Sequence, residues 1–183
     1  YGLSLGYSLE EFSYSILNIL DDSSPNGILN YSIRENYKDK NDITHSLIKH
    51  ALQKYPNLNL IELSTYGFAT GGSGLGGSSS FLASLICCLN LSQNIIESNE
   101  IVAKKTCEIE IDDLKKPIGR QDQYLCSLGG INTFRFEKRG KVTLIELSGI
   151  KKKVLHNMID NLYLIPTYKK RVADNVLKKF IND

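Results

Sequence analysis

Little in this sequence announces a charged partner or a compartment. Its 22 basic and 20 acidic side chains leave a formal net charge of only +2. No global field therefore draws it to nucleic acid or to an anionic membrane, and any basic partner site must be local. Only four cysteines occur, Cys87, Cys88, Cys107 and Cys126, with neither CxxC spacing nor a histidine at metal-finger distance. That excludes a zinc finger and a dense disulfide framework, and it predicts free buried thiols in a reducing cytoplasm. The longest apolar run, Phe81 to Leu91, is shorter than a bilayer-spanning helix, and no charged-then-apolar leader opens the chain. A soluble, cytoplasmic protein with no membrane or nucleic-acid partner is expected. The single methionine is Met158 and the first residue is Tyr1, so upstream sequence is expected to be missing. His45, His50 and His156 form no triad and no metal spacing, and there is neither an internal repeat nor a low-complexity tract.

What is present is a chain of 183 residues, 42% apolar and 23% charged, enough for one domain or one domain and a fragment of another. Short apolar alternations up to Asn41, broken by the turn-forming run Asp21 to Gly27, predict strands joined by loops. Ile43, Leu47, Ile48, Ala51, Leu52 and Tyr55 follow the helical period, with Asp42 as N-cap and Pro56 as stop. Leu58 to Thr65 predicts a strand, and the nearly all-round apolar stretch Phe81 to Leu89 predicts a central buried helix. Further helices are expected over Asn99–Asp113, Lys152–Asp160 and Tyr168–Phe180, with a short element at Gln121–Leu128. Ile131–Glu137 and Lys141–Leu147 read as a hairpin, and Leu162–Ile165 as a strand.

The richest segment is Thr70-Gly-Gly-Ser-Gly-Leu-Gly-Gly-Ser-Ser-Ser80, set between the predicted strand and the buried helix. Glycines let backbone N–H groups approach a ligand closely, and a helix N-terminus favours an anion, above all phosphate. Serines add hydroxyls for phosphate or magnesium. No lysine lies between Leu58 and Lys104, so a Walker-type loop is excluded. Gly72, Gly74 and Gly77 satisfy GxGxxG with Glu97 about twenty residues on, which leaves a dinucleotide-binding oxidoreductase as a minor alternative. A hydrolase does not fit, because Ser78 to Ser80 lack the Gly-x-Ser-x-Gly elbow. Downstream, Cys107-Glu-Ile-Glu-Ile-Asp-Asp113 crowds four carboxylates at a helix end where the macrodipole disfavours them. Lys115 and Lys116 are placed to offset that charge.

Gly72-Ser-Gly-Leu-Gly-Gly-Ser-Ser-Ser80 resembles the central motif of the galactokinase, homoserine kinase, mevalonate kinase and phosphomevalonate kinase (GHMP) superfamily, Pro-x-Gly-x-Gly-Leu-Gly-Ser-Ser. Thr70 stands in place of the proline and Gly77 in place of the first serine. Lys116-Pro-Ile-Gly-Arg-Gln-Asp-Gln-Tyr124 with Gly129-Gly-Ile-Asn132 resembles the Pro-Ile-Gly-Lys-Gln-Asp-Gln-Tyr…Gly-Gly-Ile/Leu-Asn signature of the D-glycero-D-manno-heptose 7-phosphate kinase branch. Asp42 to Leu52 and Ile165 to Ala173 are similar to further segments of that branch.

The resemblance implies an α+β fold of the GHMP kinase N-terminal type, a mixed sheet packed with helices and incomplete at both ends. Residues 1–150 would be the ATP-binding domain without its first strands, and 151–183 the start of the C-terminal domain. It implies ATP and Mg²⁺ as cofactors, a small-molecule sugar phosphate as partner, and transfer of the γ-phosphoryl group to the anomeric hydroxyl of a heptose 7-phosphate. Gly72, Ser73, Gly74, Leu75, Gly76, Gly77, Ser78 and Ser79 would hold the nucleotide, and Ser78 with Glu110 the metal. Asp122 would accept the proton of the attacking hydroxyl, with Arg120 supplying positive charge near the phosphoryl group. Gln121, Tyr124 and Arg171 would contact the substrate. Another sugar kinase of the superfamily, or a degenerate module that binds nucleotide without turnover, are the alternatives. The chain alone is expected to be inactive or very weak.

Overall fold

The computed structural model describes residues 2–21, 23–67, 73–147 and 149–165. In chain order these form β1 (Gly2–Tyr7), β2 (Ser13–Ile19), β3 (Gly27–Asn30), β4 (Arg34–Tyr37), α1 (Ser46–Gln53), β5 (Ile61–Gly67) and α2 (Gly77–Ser92). There follow α3 (Asn99–Cys107), a π-helical turn over Glu108–Asp113, α4 (Gln121–Leu128), β6 (Ile131–Phe136), β7 (Val142–Ile145) and α5 (Gly149–Ile159). This is the mixed α+β architecture that the resemblance implies. Among the described residues no helix is long and apolar enough to cross a membrane.

Two sheets carry the strands. In the larger, ordered β2-β5-β3-β4, β3 and β5 run parallel with Leu29 opposite Leu63, while the other pairs are antiparallel. A parallel pair requires a crossover, which β4 and α1 supply. The smaller sheet is antiparallel, ordered β1-β6-β7, with Gly2 opposite Phe136 and Tyr7 opposite Ile131.

Alternation decides which side of β2 is covered. Tyr14 and Ile16 point outward, while Ser13 and Ser15 face α2 and meet the hydroxyls of Ser80 and Ser84 at 2.8 and 3.0 Å. The main core lies between the larger sheet and α1 and α2, where Leu29, Ile48, Leu52, Ile61, Leu82, Leu85 and Leu89 are all fully buried. Each contributes about 1.5–3 kcal/mol of hydrophobic stabilisation, so α2 is fixed rigidly at the centre. A second cluster, Ala103, Cys107, Tyr124 and Phe134, joins α3 and α4 to the smaller sheet.

Several local expectations are corrected. The N-cap of α1 is His45, whose Nδ1 accepts the N–H of Ile48 at 3.4 Å, and Asp42 instead closes a reciprocal capping box with Asp39 one turn earlier. The helix begun at Asn99 is α-helical only to Cys107, then widens. Leu162–Ile165 forms no strand, because no neighbouring strand pairs with it among the described residues. The four thiols are free, but Cys87 is exposed and Cys88 half-buried, because both fall on the side of α2 turned from the core. The segment Tyr168–Phe180, expected as a helix, lies outside the described residues.

Candidate active site

The strand-to-helix connection enters α2 through two left-handed residues, Gly74 (φ 78°) and Gly76 (φ 69°). Gly76 occupies the N-cap position and has no side chain with which to cap, so the leading N–H groups of α2 are left for a ligand. The carbonyl of Gly76 accepts the N–H of Ser80 at 2.9 Å and the thiol of Cys126 at 3.6 Å, tying the loop both to its own helix and to α4. Gly77 is the first residue of α2. Ser73 turns back on itself, its Oγ accepting the N–H of Leu75 at 3.4 Å.

Ser78 and Ser79 both meet Glu110. Ser78 Oγ donates to Oε1 at 2.7 Å and Ser79 Oγ to Oε2 at 2.8 Å. Lys116 Nζ donates to the same Oε1 at 3.0 Å, and Gln123 Nε2 to Oε2 at 2.6 Å. The carboxylate, fully buried, thus accepts two bonds on each oxygen, which uses its acceptor capacity. Burial pushes the Glu110 carboxyl up, but the bonds from Ser78, Lys116 and Gln123 and the lysine charge outweigh it, and the pKa lies below the ordinary glutamate range. The π-helical turn delivers this residue, since its wider winding turns Glu110 and Ile109 inward while Glu108, Asp112 and Asp113 stay on the surface. Asp113 pairs with Lys54 at 3.0 Å.

These residues fit a divalent cation of magnesium type. Ser78 Oγ and Glu110 Oε1 are hard oxygen donors 2.7 Å apart, close to the edge of about 2.9 Å between neighbouring ligands of an octahedral Mg²⁺. Ser78 is exposed, so the pair is reached from its side. Among the described residues no group of three or more His, Cys, Asp or Glu could hold a metal unaided.

Asp122 lies in the first turn of α4 beneath the glycine loop. A Cβ added at Gly76 would make only ordinary contact with its carboxyl carbon, at 3.9 Å; what reserves the position for glycine is its φ of 69° and a 3.1 Å approach to Cys126 Sγ. The carboxyl is open to solvent on one side and enclosed by protein on the others. This desolvation, with the Glu110 charge behind it, raises its pKa above the ordinary aspartate range. Beside it opens a cavity of about 470 Å³, walled by Gly74, Leu75, Gly76, Gln121, Asp122 and Cys126 and by the β1–β2 turn. Ser78 and Glu110 are not part of that wall.

Of the residues singled out in sequence, the fold therefore gathers Ser73 to Ser79, Glu110, Gln121 and Asp122 around the entry to α2. Arg120 is turned away, its guanidinium packed on the turn between β6 and β7, where a Cβ at Gly140 would meet it at 2.8 Å. Tyr124, expected to line a substrate pocket, is instead 6% exposed and packs edge-on to Phe134 with ring centroids 5.8 Å apart. Gln121, Asp122, Leu125 and Cys126 make up the cleft side of α4, and Gln123 and Tyr124 fall on its buried side. Gly72 and Arg171 lie outside the described residues. Sequence reasoning gave Gln123 no part at Glu110. Glu97, the acidic partner in the dinucleotide reading, belongs to no second strand; it pairs with Lys105 at 2.7 Å.

Comparison with known proteins identifies the family and the fold. Residues 42–130 match the family described as GHMP kinases N terminal domain. A curated relative, D-glycero-alpha-D-manno-heptose 7-phosphate kinase of Campylobacter jejuni, is 32% identical over 127 residues, spanning 68% of this chain and 38% of the relative. Among solved structures, a D-glycero-D-manno-heptose 1-phosphate kinase of Bacteroides thetaiotaomicron superposes with a TM-score of 0.71 at 24% identity, over 80% of this chain and 51% of that one. The mevalonate kinase of Methanococcus jannaschii superposes with a TM-score of 0.56 at 16% identity, over 92% and 61% respectively. The chain thus spans well under two thirds of the relatives it matches, and it is their N-terminal domain fold that it shares. Residues 42–130 are a GHMP kinase N-terminal domain, and the chain belongs to the GHMP kinase family.

Proposed function

We propose that this chain is the nucleotide-binding part of an ATP-dependent sugar kinase acting on the anomeric hydroxyl of a heptose 7-phosphate. Residues 1–150 then form the ATP-binding domain and 151–183 open a second one. The observation that carries the reading is the convergence of a left-handed glycine entry to α2, the bonded pair Ser78–Glu110, and Asp122 held against Gly76.

Ser78 and Glu110 would hold Mg²⁺, which when bound neutralises charge on the phosphates. The free N–H groups at the start of α2 orient the triphosphate. Asp122 faces the cavity, and its raised pKa makes it the stronger base among nearby carboxylates. It accepts the proton of the sugar hydroxyl as that oxygen bonds to the γ-phosphorus, and the bond to the β-phosphate oxygen breaks to release ADP. Gln121, in the same wall, is placed to contact the sugar. Arg120, packed on Gly140, is given no such part.

Calorimetric titration with ATP, with and without Mg²⁺, tests the proposal. Magnesium-dependent binding lost in Ser78→Ala and Glu110→Gln is expected. Phosphoryl transfer to a panel of sugar phosphates should fall by about 10²–10⁴-fold in Asp122→Asn while ATP still binds. ATP binding indifferent to both Ser78→Ala and Glu110→Gln, or phosphoryl transfer by the full-length protein unchanged in Asp122→Asn, would overturn the reading.

A further inference from the structure

Glu110 carries one donor that a metal site does not need. Its four partners differ in what they could do if a cation arrived at Oε1. Ser78 can rotate its proton away and remain as a ligand through a lone pair. Ser79 and Gln123 bond the other oxygen, Oε2, and need not move. Lys116 occupies Oε1 itself at 3.0 Å and has no lone pair to offer while charged. It is therefore the partner that a divalent ion must displace.

The backbone is arranged to keep it there. Lys115, the second residue after the π-helical turn, adopts a left-handed conformation (φ 53°) that a non-glycine residue seldom takes. This reversal brings the N–H of Lys116 back to the carbonyl of Glu110 at 3.0 Å, and Ile118 N–H then closes on the carbonyl of Lys116 at 2.9 Å. The lysine stem thus leaves from a point fixed to the residue it neutralises. Its side chain is 23% exposed against 0% for Glu110, so the ammonium lies between the buried carboxylate and solvent, on the side from which Ser78 is reached.

We propose that Lys116 is an internal counter-cation that occupies the divalent position at Ser78–Glu110, so that the ion enters only when it arrives on the phosphates of a nucleotide and not from solution. An ammonium 3.0 Å from that oxygen and a divalent ion at ligand distance from it repel each other strongly in a buried site. A free divalent ion must therefore expel Lys116 with no anion to receive it, whereas a phosphate-borne ion brings anionic oxygens that the released ammonium can face. This deepens the kinase reading and rests on it for the identity of the incoming complex.

The test is calorimetric titration of the whole chain with Mn²⁺ in the absence of nucleotide, comparing wild type with Lys116→Met, Lys116→Gln and Lys116→Arg. Met and Gln should tighten Mn²⁺ binding by about tenfold or more, and the thermal midpoint of both should rise with Mn²⁺ more than that of wild type. Arg, which keeps the charge, should behave as wild type. The tightening should vanish when Glu110→Gln is added to Lys116→Met. Equal Mn²⁺ affinity in wild type and both neutral variants would overturn the proposal, as would tightening that survives Glu110→Gln. Should Lys116→Met not fold, Lys116→Gln carries the same comparison. Failure of wild type to bind ATP with Mg²⁺ would instead count against the kinase reading, and the nucleotide-free Mn²⁺ comparison does not depend on it.

Discussion

Replacing Glu110 by glutamine tests the centre of the site without changing its shape. The carboxylate is fully buried and accepts from Ser78, Ser79, Lys116 and Gln123. An amide in its place presents an NH₂ group to two of those donors and leaves the Lys116 ammonium without its anion. Breaking a buried ion pair from one side costs about 3–5 kcal/mol; the retained amide oxygen argues for the lower end, about 3 kcal/mol. For a domain of this size that is a drop of about 6–12 °C in thermal midpoint. The pH dependence is equally specific. Because the folded carboxyl titrates below its ordinary value of 4.5, its contribution is fully present above that pH and is lost as pH falls through the folded pKa. Urea unfolding of wild type and variant should therefore differ most near pH 7 and converge progressively once pH drops below the ordinary value. A gap under about 1 kcal/mol at neutral pH, or one that does not narrow in acid, would refute the assignment of an ionised, fully bonded Glu110.

Two further substitutions probe the frame around it. Gly76→Ala forces a side chain into a left-handed position and sets a Cβ 3.1 Å from Cys126 Sγ; a loss of about 1–2 kcal/mol in urea unfolding and weaker ATP binding by calorimetry are expected, and wild-type values in both would contradict the described loop. Tyr55→Phe removes a buried 2.6 Å bond to Asn90, which also bonds Glu97; a cost of about 1–3 kcal/mol is expected. The Tyr55 phenol, pushed up to about 12 by burial and by the Glu97 charge, should be silent in an ultraviolet titration to pH 11.

Much of this arrangement is legible in the residues because it rests on local chemistry. The glycine–serine run, set before an apolar stretch, reads as a backbone-exposing entry to a helix, which Gly74 and Gly76 provide, and the apolar period of Leu47, Ile48, Ala51 and Leu52 marked the buried side of α1 correctly. Glu110 could be separated from its acidic neighbours only by resemblance, since composition alone treats Glu108, Glu110, Asp112 and Asp113 alike. What distinguishes it physically is one widened helical turn, and no periodicity signal separates an α-helix from a π-helical continuation of the same acidic and apolar residues. The directions of Tyr124 and Arg120 were illegible for a related reason: they follow from where the smaller sheet sits, Tyr124 against Phe134 of β6 and Arg120 against Gly140 beyond it. The same holds for His45, which caps α1 beside Thr44, whose N–H is held at 2.6 Å by the carboxylate of Glu35 on β4.

That smaller sheet has a consequence in time. β1 pairs with β6, Gly2 against Phe136 and Tyr7 against Ile131, so a growing polypeptide emits β1 long before its partner exists. Leu3, Leu5 and Tyr7, still exposed in the finished fold, have in that interval neither a hydrogen-bonding neighbour nor a covered face, the condition under which nascent strands associate wrongly. A fold whose outermost pairing closes over such a distance is expected to mature slowly, with the larger sheet and its helices assembled first. Translation speed and chaperone access, more than the strength of the final contacts, would then govern how much of the protein reaches its native state.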